Sequence, residues 1–483
     1  MNKKNYIIPT TALLVFILSL LTNANSLLVL ILFFTVLLVT IYKLGRAIVL
    51  RDIIALYSNF ICLVMPLVGY EFYPKSNRLS LIFVKFMPIP FDDYFSFCLP
   101  AMALFTAALC WPFYRKGISD EGPAIENKVL GIQSFIAKQG NLPMILVLAG
   151  VFAFYVTPIL PQALQFVFTL IYLSSFVGIV YIFFRPDYPK KKWIISVYLA
   201  FTFLQALQQG MFTIVAFMGM TIFSLIFLGR RISMLVKLMV LSFCIFALII
   251  VQSVKSVYRD YIWRGKGGYV ENKTLLYSKL VQEKVSNVGD LFSIDAMFPI
   301  YIRTNQGFNV ALVMRRFPSI TPFDDGANVF LSIVSSFVPR LFWPDKPMAG
   351  GKYNMKYYTG INIVGWSTNV GPLGEAYGSF GRTGGIIYML FIGLFIRGIY
   401  MLIFMNSRKV PLLFLWIPVL FYQVSYSAEN DTLQIFNSLL KSGIFVYILY
   451  RIWPPLFGIA RKKRFGSASI ISATPASHNY LTN

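Results

Sequence analysis

A set of arginines between residues 254 and 385 has the residue type that binds phosphate groups best. An arginine carries a planar fork of N–H donors that can pair with two phosphate oxygens, and it stays charged in a partly dry site. The six arginines of the set are Arg259, Arg264, Arg303, Arg315, Arg316 and Arg340. They suit a site that binds a diphosphate. The alternative is a set of solvated cations that contact lipid headgroups.

Two runs in the same region combine charged residues with aromatic ones. Prolines at positions 339, 344 and 347 restrict the backbone around Arg340, Asp345 and Lys346, so that these charged groups are presented from a stiff segment. Glycines in residues 371–381 allow close backbone approach around Glu375. The rings of Trp343 and Tyr377 suit the C–H faces of a sugar, although they would serve equally in the aromatic belt of a membrane interface.

Three carboxylates are candidates for a general base. Glu375 lies among aromatic residues and glycines, where it can accept a proton from a substrate hydroxyl or simply pair with Arg382 or a backbone amide. Asp324 and Asp325 can act as a base or can cap a helix that starts near Gly326. Capping is the preferred interpretation of the aspartate pair.

The residues that several other chemistries require are scarce. The single histidine, His478, lies in the polar C-terminal tail, so we expect neither a histidine base nor a zinc site. The four cysteines fall inside apolar runs, with neither metal-ligand spacing nor the pattern of a disulfide framework. The sequence therefore predicts no zinc site, and we expect no cofactor.

The composition indicates that these residues belong to a membrane protein. Of the 483 residues, 57% are hydrophobic and 13% are charged, whereas soluble domains are about 25% charged. The chain has 43 Lys plus Arg against 19 Asp plus Glu, mostly in the loops between apolar runs. Because that placement is an orientation signal beside anionic lipid, we expect the lipid bilayer as a partner and no nucleic acid.

The hydropathy pattern predicts an all-α polytopic membrane protein with about twelve transmembrane helices. The predicted spans are residues 5–21, 26–42, 53–70, 94–113, 142–160, 162–184, 193–208, 211–228, 237–253, 386–404, 411–426 and 433–450. With the N terminus in the cytoplasm, the basic groups between spans fall on the cytoplasmic side, as the positive-inside rule requires. Both termini are then cytoplasmic.

A long loop interrupts the alternation of spans and divides the chain. Residues 1–253 hold spans one to nine, residues 254–385 form the long outer loop with the candidate site, residues 386–452 hold spans ten to twelve, and residues 453–483 form a cytoplasmic tail. The loop carries 15 Lys plus Arg against 9 Asp plus Glu. Since the positive-inside rule disfavours this side for basic residues, we attribute the surplus to function.

The long loop is predicted to fold as short helices on the outer mouth of the bundle. Aromatic and β-branched residues occur throughout it, so it is not a low-complexity linker. Residues 326–338 are apolar but too few to cross a bilayer, which suits a re-entrant or interfacial helix. Pro339 would end this helix.

The motifs of the loop resemble those of a known family. Pro339-Arg340 followed by Trp343-Pro-Asp-Lys-Pro347, and then Gly374-Glu375-x-Tyr377-x-x-Phe380-Gly381 before the next span, resemble the O-antigen polymerases of the Wzy type, also called oligosaccharide repeat-unit polymerases. The similar motifs cover about 45 residues. The architecture of many helices with a late, long outer loop is similar over the whole chain.

The resemblance implies a GT-C-like fold and a metal-independent, inverting glycosyl transfer at the outer face of the bacterial inner membrane. The donor would be a glycan on undecaprenyl diphosphate, and the acceptor a sugar hydroxyl on a second lipid-linked repeat unit. The product would be a surface polysaccharide, such as the O-antigen of lipopolysaccharide, a capsule or an exopolysaccharide. A chain-length regulator is a further candidate partner.

The resemblance also distributes roles among the candidate residues. Catalytic roles fall to Arg340 and to a base chosen from Glu375, Asp324 and Asp325, with Asp345 as a further option, in place of the outer-loop histidine implicated in the related ligases. The arginines would stabilise the charge on the departing diphosphate. The residues assigned to substrate binding are Arg259, Arg264, Arg303, Arg315, Arg316, Lys346, Trp343 and Tyr377.

Two other functions stay open beside the polymerase. An O-antigen ligase or another GT-C glycosyltransferase would use the same donor with a different acceptor. A flippase for lipid-linked oligosaccharides would also have about twelve helices, but transporters usually place ionisable residues at the membrane midplane and show repeated halves. Here the predicted spans are nearly free of charge apart from Arg397 and Lys441, and the long loop has no counterpart in the first half.

Overall fold

The computed structural model describes most of the chain. The described residues are 3–72, 87–113, 131–209, 222, 225, 228, 232–264, 272–286, 289, 294–338, 342–347, 349–364 and 368–459. Within these ranges the chain is mostly helical and contains no β-strand.

Seventeen α-helices are defined within the described ranges. In chain order they are α1 (Ile7–Leu21), α2 (Asn25–Lys43), α3 (Leu50–Asn59), α4 (Met65–Phe72), α5 (Phe91–Cys110), α6 (Leu142–Val156), α7 (Gln162–Phe184), α8 (Lys191–Gln209), α9 (Met234–Arg264), α10 (Lys273–Ser286), α11 (Ile294–Thr304), α12 (Gly307–Arg316), α13 (Ala327–Phe337), α14 (Gly351–Thr359), α15 (Gly371–Asn406), α16 (Ile417–Leu420) and α17 (Thr432–Ile452). A π-helical turn, Phe60–Val64, joins α3 to α4.

Eight segments of the described residues are long and apolar enough to cross a membrane. They are Asn25–Lys43, Leu50–Glu71, Phe91–Cys110, Leu142–Ile159, Leu164–Phe184, Met234–Val251, Gly371–Asn406 and Thr432–Ile452. Each overlaps one of the twelve predicted spans, and two more predicted spans are helical as α1 and α8. The predicted span at 211–228 lies outside the described residues except at positions 222, 225 and 228. The chain is thus a helical protein whose apolar helices suit a lipid bilayer.

The predicted span at 411–426 is wrong as a continuous helix. The structure breaks this segment into a 3-10 helix (Leu413–Trp416), the four-residue α16 and a second 3-10 helix (Val424–Glu429). Pro418 cannot donate to a helical ladder. Trp416 and Phe421 are fully buried, and irregular backbone is tolerated at membrane depth where the surrounding protein buries it.

Helix α15 forms the main contact between the long loop and the bundle. It packs along α5, and its first turns contact α12. It has 36 residues and is therefore about 54 Å long at about 1.5 Å per residue, more than the roughly 30 Å of a hydrocarbon core. Gly381 breaks it, with φ 65° and ψ −161°. Residues 371–380 consequently form a separate helical segment before the break.

Several charged residues lie near the C-terminal end of α5. Arg51 donates to the carbonyl oxygens of Leu109 (3.1 Å) and Trp111 (2.9 Å), and Arg397 donates to Trp111 (2.9 Å) as well. Lys43 and Asp52 form a buried ion pair at 3.3 Å. Arg51 and Arg397 thus bind carbonyls at the C-terminal end of α5, where the helix dipole favours positive charge.

The long loop folds into short helices, as predicted. Helices α10 to α14 and the first part of α15 lie within residues 254–385. The ninth span extends into the loop, because α9 continues to Arg264. The predicted apolar helix is α13, Ala327–Phe337, while Pro339 lies outside the described residues.

Candidate functional site

Four residues near the C-terminal end of the chain contact three parts of the long loop. Residues 429–432, named here the junction segment, run from the last residue of the 3-10 helix Val424–Glu429 to the first residue of α17. Glu429 contacts Arg303, Asp431 contacts Asn369, and Thr432 contacts Glu375. Three side-chain contacts of the described part of the long loop therefore converge on one short segment.

Arg303, at the end of α11, pairs with Glu429. Its Nη2 lies 3.2 Å from Glu429 Oε2, and the Tyr57 hydroxyl of α3 donates to the other oxygen of the same carboxylate. The side chain of Arg303 is 49% exposed and that of Glu429 is 19% exposed. Glu429 raises the pKa of the Arg303 guanidinium, which therefore stays charged. The pair is thus held by the bundle, with its arginine side chain about half exposed and its carboxylate largely covered.

Glu375 lies in the first turns of α15 and is fully buried. Its Oε1 accepts a hydrogen bond from Asn354 Nδ2 of α14 at 2.7 Å. Its Oε2 accepts from the backbone N–H of Thr432 at 2.8 Å and from the hydroxyl of the same residue. The carboxylate thereby joins α14, α15 and α17. Its role as a general base stays a prediction, since in this conformation the carboxylate has no exposed surface.

Asn354 continues these contacts into α13. Its Oδ1 accepts from Asn328 Nδ2 at 3.4 Å. The Asn328 amide also donates to the Tyr358 hydroxyl at 3.0 Å. Tyr358 in turn shares a 2.7 Å hydrogen bond with Ser379. All four side chains are buried. Buried side-chain hydrogen bonds thus fix α13, α14 and the first part of α15 relative to one another.

Asp324 lies at the start of α13 and binds its first amides. Oδ1 accepts from Gly326 N at 3.0 Å, and Oδ2 accepts from Asn328 N at 3.3 Å and from the Tyr357 hydroxyl at 2.9 Å. Asp324 therefore accepts from a first-turn amide of α13, as the capping interpretation expects, while the N-cap position itself is occupied by Gly326. Asp325 is exposed and has a positive φ of 50°. The catalytic alternative for both aspartates stays a prediction.

Asp431 joins the junction segment to the residues just before α15. Its Oδ2 accepts from Asn369 Nδ2 at 2.9 Å, and its Oδ1 accepts from Gln434 N at 2.6 Å, which forms a capping box at the start of α17. Burial raises the pKa of the Asp431 carboxyl, against the lowering effect of these donors. The backbone carbonyl of Asn369 accepts from the Gln306 side chain at 2.8 Å. Asn369 is therefore bonded both to the junction segment and to the connection between α11 and α12 of the loop.

The predicted cations have different environments. Arg315 is exposed at the end of α12, whereas Arg316 is half-buried beside Gly360. Lys346 Nζ donates to the carbonyls of Ser335 (2.8 Å) and Val338 (2.7 Å), so it binds the C-terminal end of α13. Arg340 lies outside the described residues, as do the side chains of Arg259 and Arg264, whose backbone belongs to α9.

The two aromatic candidates also differ. Tyr377 packs edge-on against Phe97, with 4.9 Å between ring centroids, and against Phe323 at 5.9 Å. Trp343 is half-buried. Tyr377 thus packs between aromatic side chains of α5 and of the loop. The sugar-binding role of both rings stays a prediction.

We expect Gly351→Ala to destabilise the fold around Glu375. Gly351 starts α14, and a Cβ at this position would lie 1.6 Å from the carbonyl oxygen of Thr368. Because this neighbour is backbone, relief requires α14 to move; overpacking typically costs about 1–3 kcal/mol. Thermal unfolding of the purified protein in detergent measures the effect. Gly398→Ala is the matched control, since a Cβ there meets nothing within 4 Å. Equal melting temperatures for the two variants would contradict this packing.

Sequence reasoning missed the junction segment. Glu429 and Asp431 are the two acidic residues that follow Glu375 in the sequence, and this scarcity is the signal that could have identified them.

Comparisons with protein-family models, curated proteins and solved structures found no match. Within the described ranges, no group of three or more His, Cys, Asp or Glu side chains is placed to hold a metal ion.

Proposed function

We propose that this protein is a membrane glycosyltransferase that polymerises oligosaccharide repeat units carried on undecaprenyl diphosphate. The reaction takes place at the outer face of the bacterial inner membrane, where the long loop folds against the bundle. The motifs around Trp343 and Glu375 support the assignment through their resemblance to the Wzy-type polymerases. The apolar helices suit a lipid bilayer, and the lipid carrier of such a substrate lies in that bilayer.

The observation that carries the proposal is the pair of Arg303 and Glu429, in which the arginine side chain is 49% exposed and the glutamate side chain 19% exposed. An arginine can exchange a carboxylate partner for a phosphate, because its fork of donors fits both groups. In the proposed site, the carboxylate beside Arg303 accepts the proton of an attacking hydroxyl. Tyr57 holds this carboxylate from the bundle side. The direct contact between a cation and a carboxylate supports the proposal.

The proposed step is a single displacement. The hydroxyl oxygen of the acceptor sugar forms a bond to the anomeric carbon of the donor, and the bond from that carbon to the diphosphate oxygen breaks. Its electron pair leaves with the diphosphate, whose charge Arg303 stabilises. The hydroxyl proton passes to Glu429. Attack opposite the leaving group inverts the anomeric configuration, and Glu375 is the alternative base.

The surroundings of the charged residues in the spans favour an enzyme over a transporter. Arg397 donates to the carbonyls at the end of α5, and the Lys441 ammonium lies 4.6 Å from the centre of the Phe166 ring. A transporter site would place such groups where a substrate can reach them at the membrane midplane. These cations contact fixed parts of the protein.

Arg315→Ala is expected to shorten or abolish the polysaccharide without lowering the amount of protein. Arg315 is an exposed cation on α12, in the loop proposed to bind the diphosphate, so its loss removes part of the positive field. The chain-length distribution on a polysaccharide gel measures the effect. Arg408→Ala is the control, because Arg408 is also exposed but lies just after the C-terminal end of α15, away from the long loop. Wild-type chain lengths for Arg315→Ala would count against a diphosphate site at α12.

The cellular test of the function is a polysaccharide gel of a deletion strain beside the complemented strain. A polymerase predicts loss of the ladder, with acceptors capped by a single repeat unit. Polymer that accumulates on the lipid carrier would instead indicate a ligase. Single units that stay in the inner leaflet would indicate a flippase.

A further inference from the structure

Helix α13 has its polar side toward the protein and its apolar side outward. Its buried residues include Asn328, Ser332, Ser335 and Ser336. On the outer side, the Phe330 and Phe337 side chains are 69% and 59% exposed. An amphipathic helix on a water-soluble surface has the opposite arrangement, with its apolar side against the core.

The polar groups of α13 have partners within the protein. The hydroxyls of Ser335 and Ser336 both donate to the carbonyl of Ser332, at 3.0 and 2.9 Å. Asp324 accepts from the first amides, and Lys346 donates to carbonyls at the last turn. A helix in hydrocarbon must satisfy its terminal backbone groups in this way, because no water is available to bind them. In water, these contacts would not be required.

The neighbour of α13 is itself a candidate membrane span. α13 packs against α17, whose outward side chains include Ile444, Tyr447 and Ile448. Both α13 and this candidate span therefore have exposed apolar side chains. With 11 residues, α13 is about 16 Å long, which is about half of the roughly 30 Å hydrocarbon thickness.

We propose that the outward side of α13 lies in the bilayer and contacts its hydrocarbon chains, so that this helix enters the membrane without crossing it. The occupant of this surface is lipid. Phe330 and Phe337 contribute the contact, while the buried serines lie on the side of α13 that is covered by the protein. This inference does not depend on the proposed glycosyl transfer, and its test needs no substrate.

Photo-crosslinking of the full-length protein in proteoliposomes tests this inference. The photoreactive residue p-benzoylphenylalanine replaces Phe330 or Phe337, in vesicles of phosphatidylethanolamine and phosphatidylglycerol. The control carries it at Lys356, an exposed position on α14 of the same loop. Because each replaced side chain is exposed, the fold should be retained, and gel filtration checks this.

The expected result is a phospholipid adduct, detected by intact mass, at positions 330 and 337 and none above background at 356. Equal lipid yields at the three positions would overturn the inference, because general surface contact would then explain them. Absence of lipid adducts at 330 and 337 would overturn it as well. So would adducts to a second copy of the chain, which would make this surface a protein interface.

Discussion

Replacing Glu429 with glutamine is expected to abolish polymer formation while the protein still folds. Glutamine keeps an oxygen that can accept from Tyr57, but it cannot take the proton of the acceptor hydroxyl. Loss of a general base typically costs about 10²–10⁴-fold in rate. The measurement is the initial rate of chain extension on a lipid-linked repeat unit, with purified protein in proteoliposomes.

Asp187→Asn provides the control for this substitution. It makes the same change from acid to amide at an exposed position between α7 and α8, far along the chain from the junction segment. It should extend chains at the wild-type rate. A wild-type rate for Glu429→Gln would remove Glu429 from the chemistry and leave Glu375 or an aspartate of the loop as the base.

Glu375→Ala is expected to destabilise the protein strongly. The substitution leaves the backbone N–H of Thr432 and the Asn354 amide without an acceptor in a buried site. Each unsatisfied buried group costs about 1–3 kcal/mol, and the cavity adds to that loss. Thermal unfolding in detergent should show a lower melting temperature for Glu375→Ala than for both the wild type and Glu429→Gln.

The two glutamate variants together separate a structural role from a chemical one. If Glu375 mainly joins α14, α15 and α17, its variant loses stability and activity together. A Glu375→Ala protein with a wild-type melting temperature and no activity would contradict that role. It would favour the prediction, made from the sequence motif, that Glu375 is the base.

Local apolarity predicted the long apolar helices of the described residues but failed at residues 411–426. Hydropathy reports how apolar a segment is, and this one is apolar because it is buried, with Trp416 and Phe421 fully enclosed. Whether the backbone stays helical there depends on Pro418 and on the helices around it, which no local window contains. α13 and the Asp324 cap were predictable, because a helix start and an apolar run are local signals.

The partners of the charged residues could not be predicted from local sequence. Arg303 and Glu429 are separated by 126 positions, and nothing in either neighbourhood indicates the pairing. Lys346 looked like a substrate-binding cation, yet it donates to two carbonyls at the end of α13. The number of charged residues in a segment indicates a candidate region. Which of those residues a ligand can reach depends on the contacts they make in the folded protein.

The most direct test of the proposed function uses the purified protein in proteoliposomes that contain a single class of undecaprenyl-diphosphate-linked repeat unit. The account predicts a ladder of longer lipid-linked chains, with one undecaprenyl diphosphate released for every glycosidic bond formed. Arg303→Ala should weaken the ladder because the charge that stabilises the leaving group is lost. Repeat units that stay at unit length in the presence of folded protein, or that only move between leaflets, would contradict a polymerase.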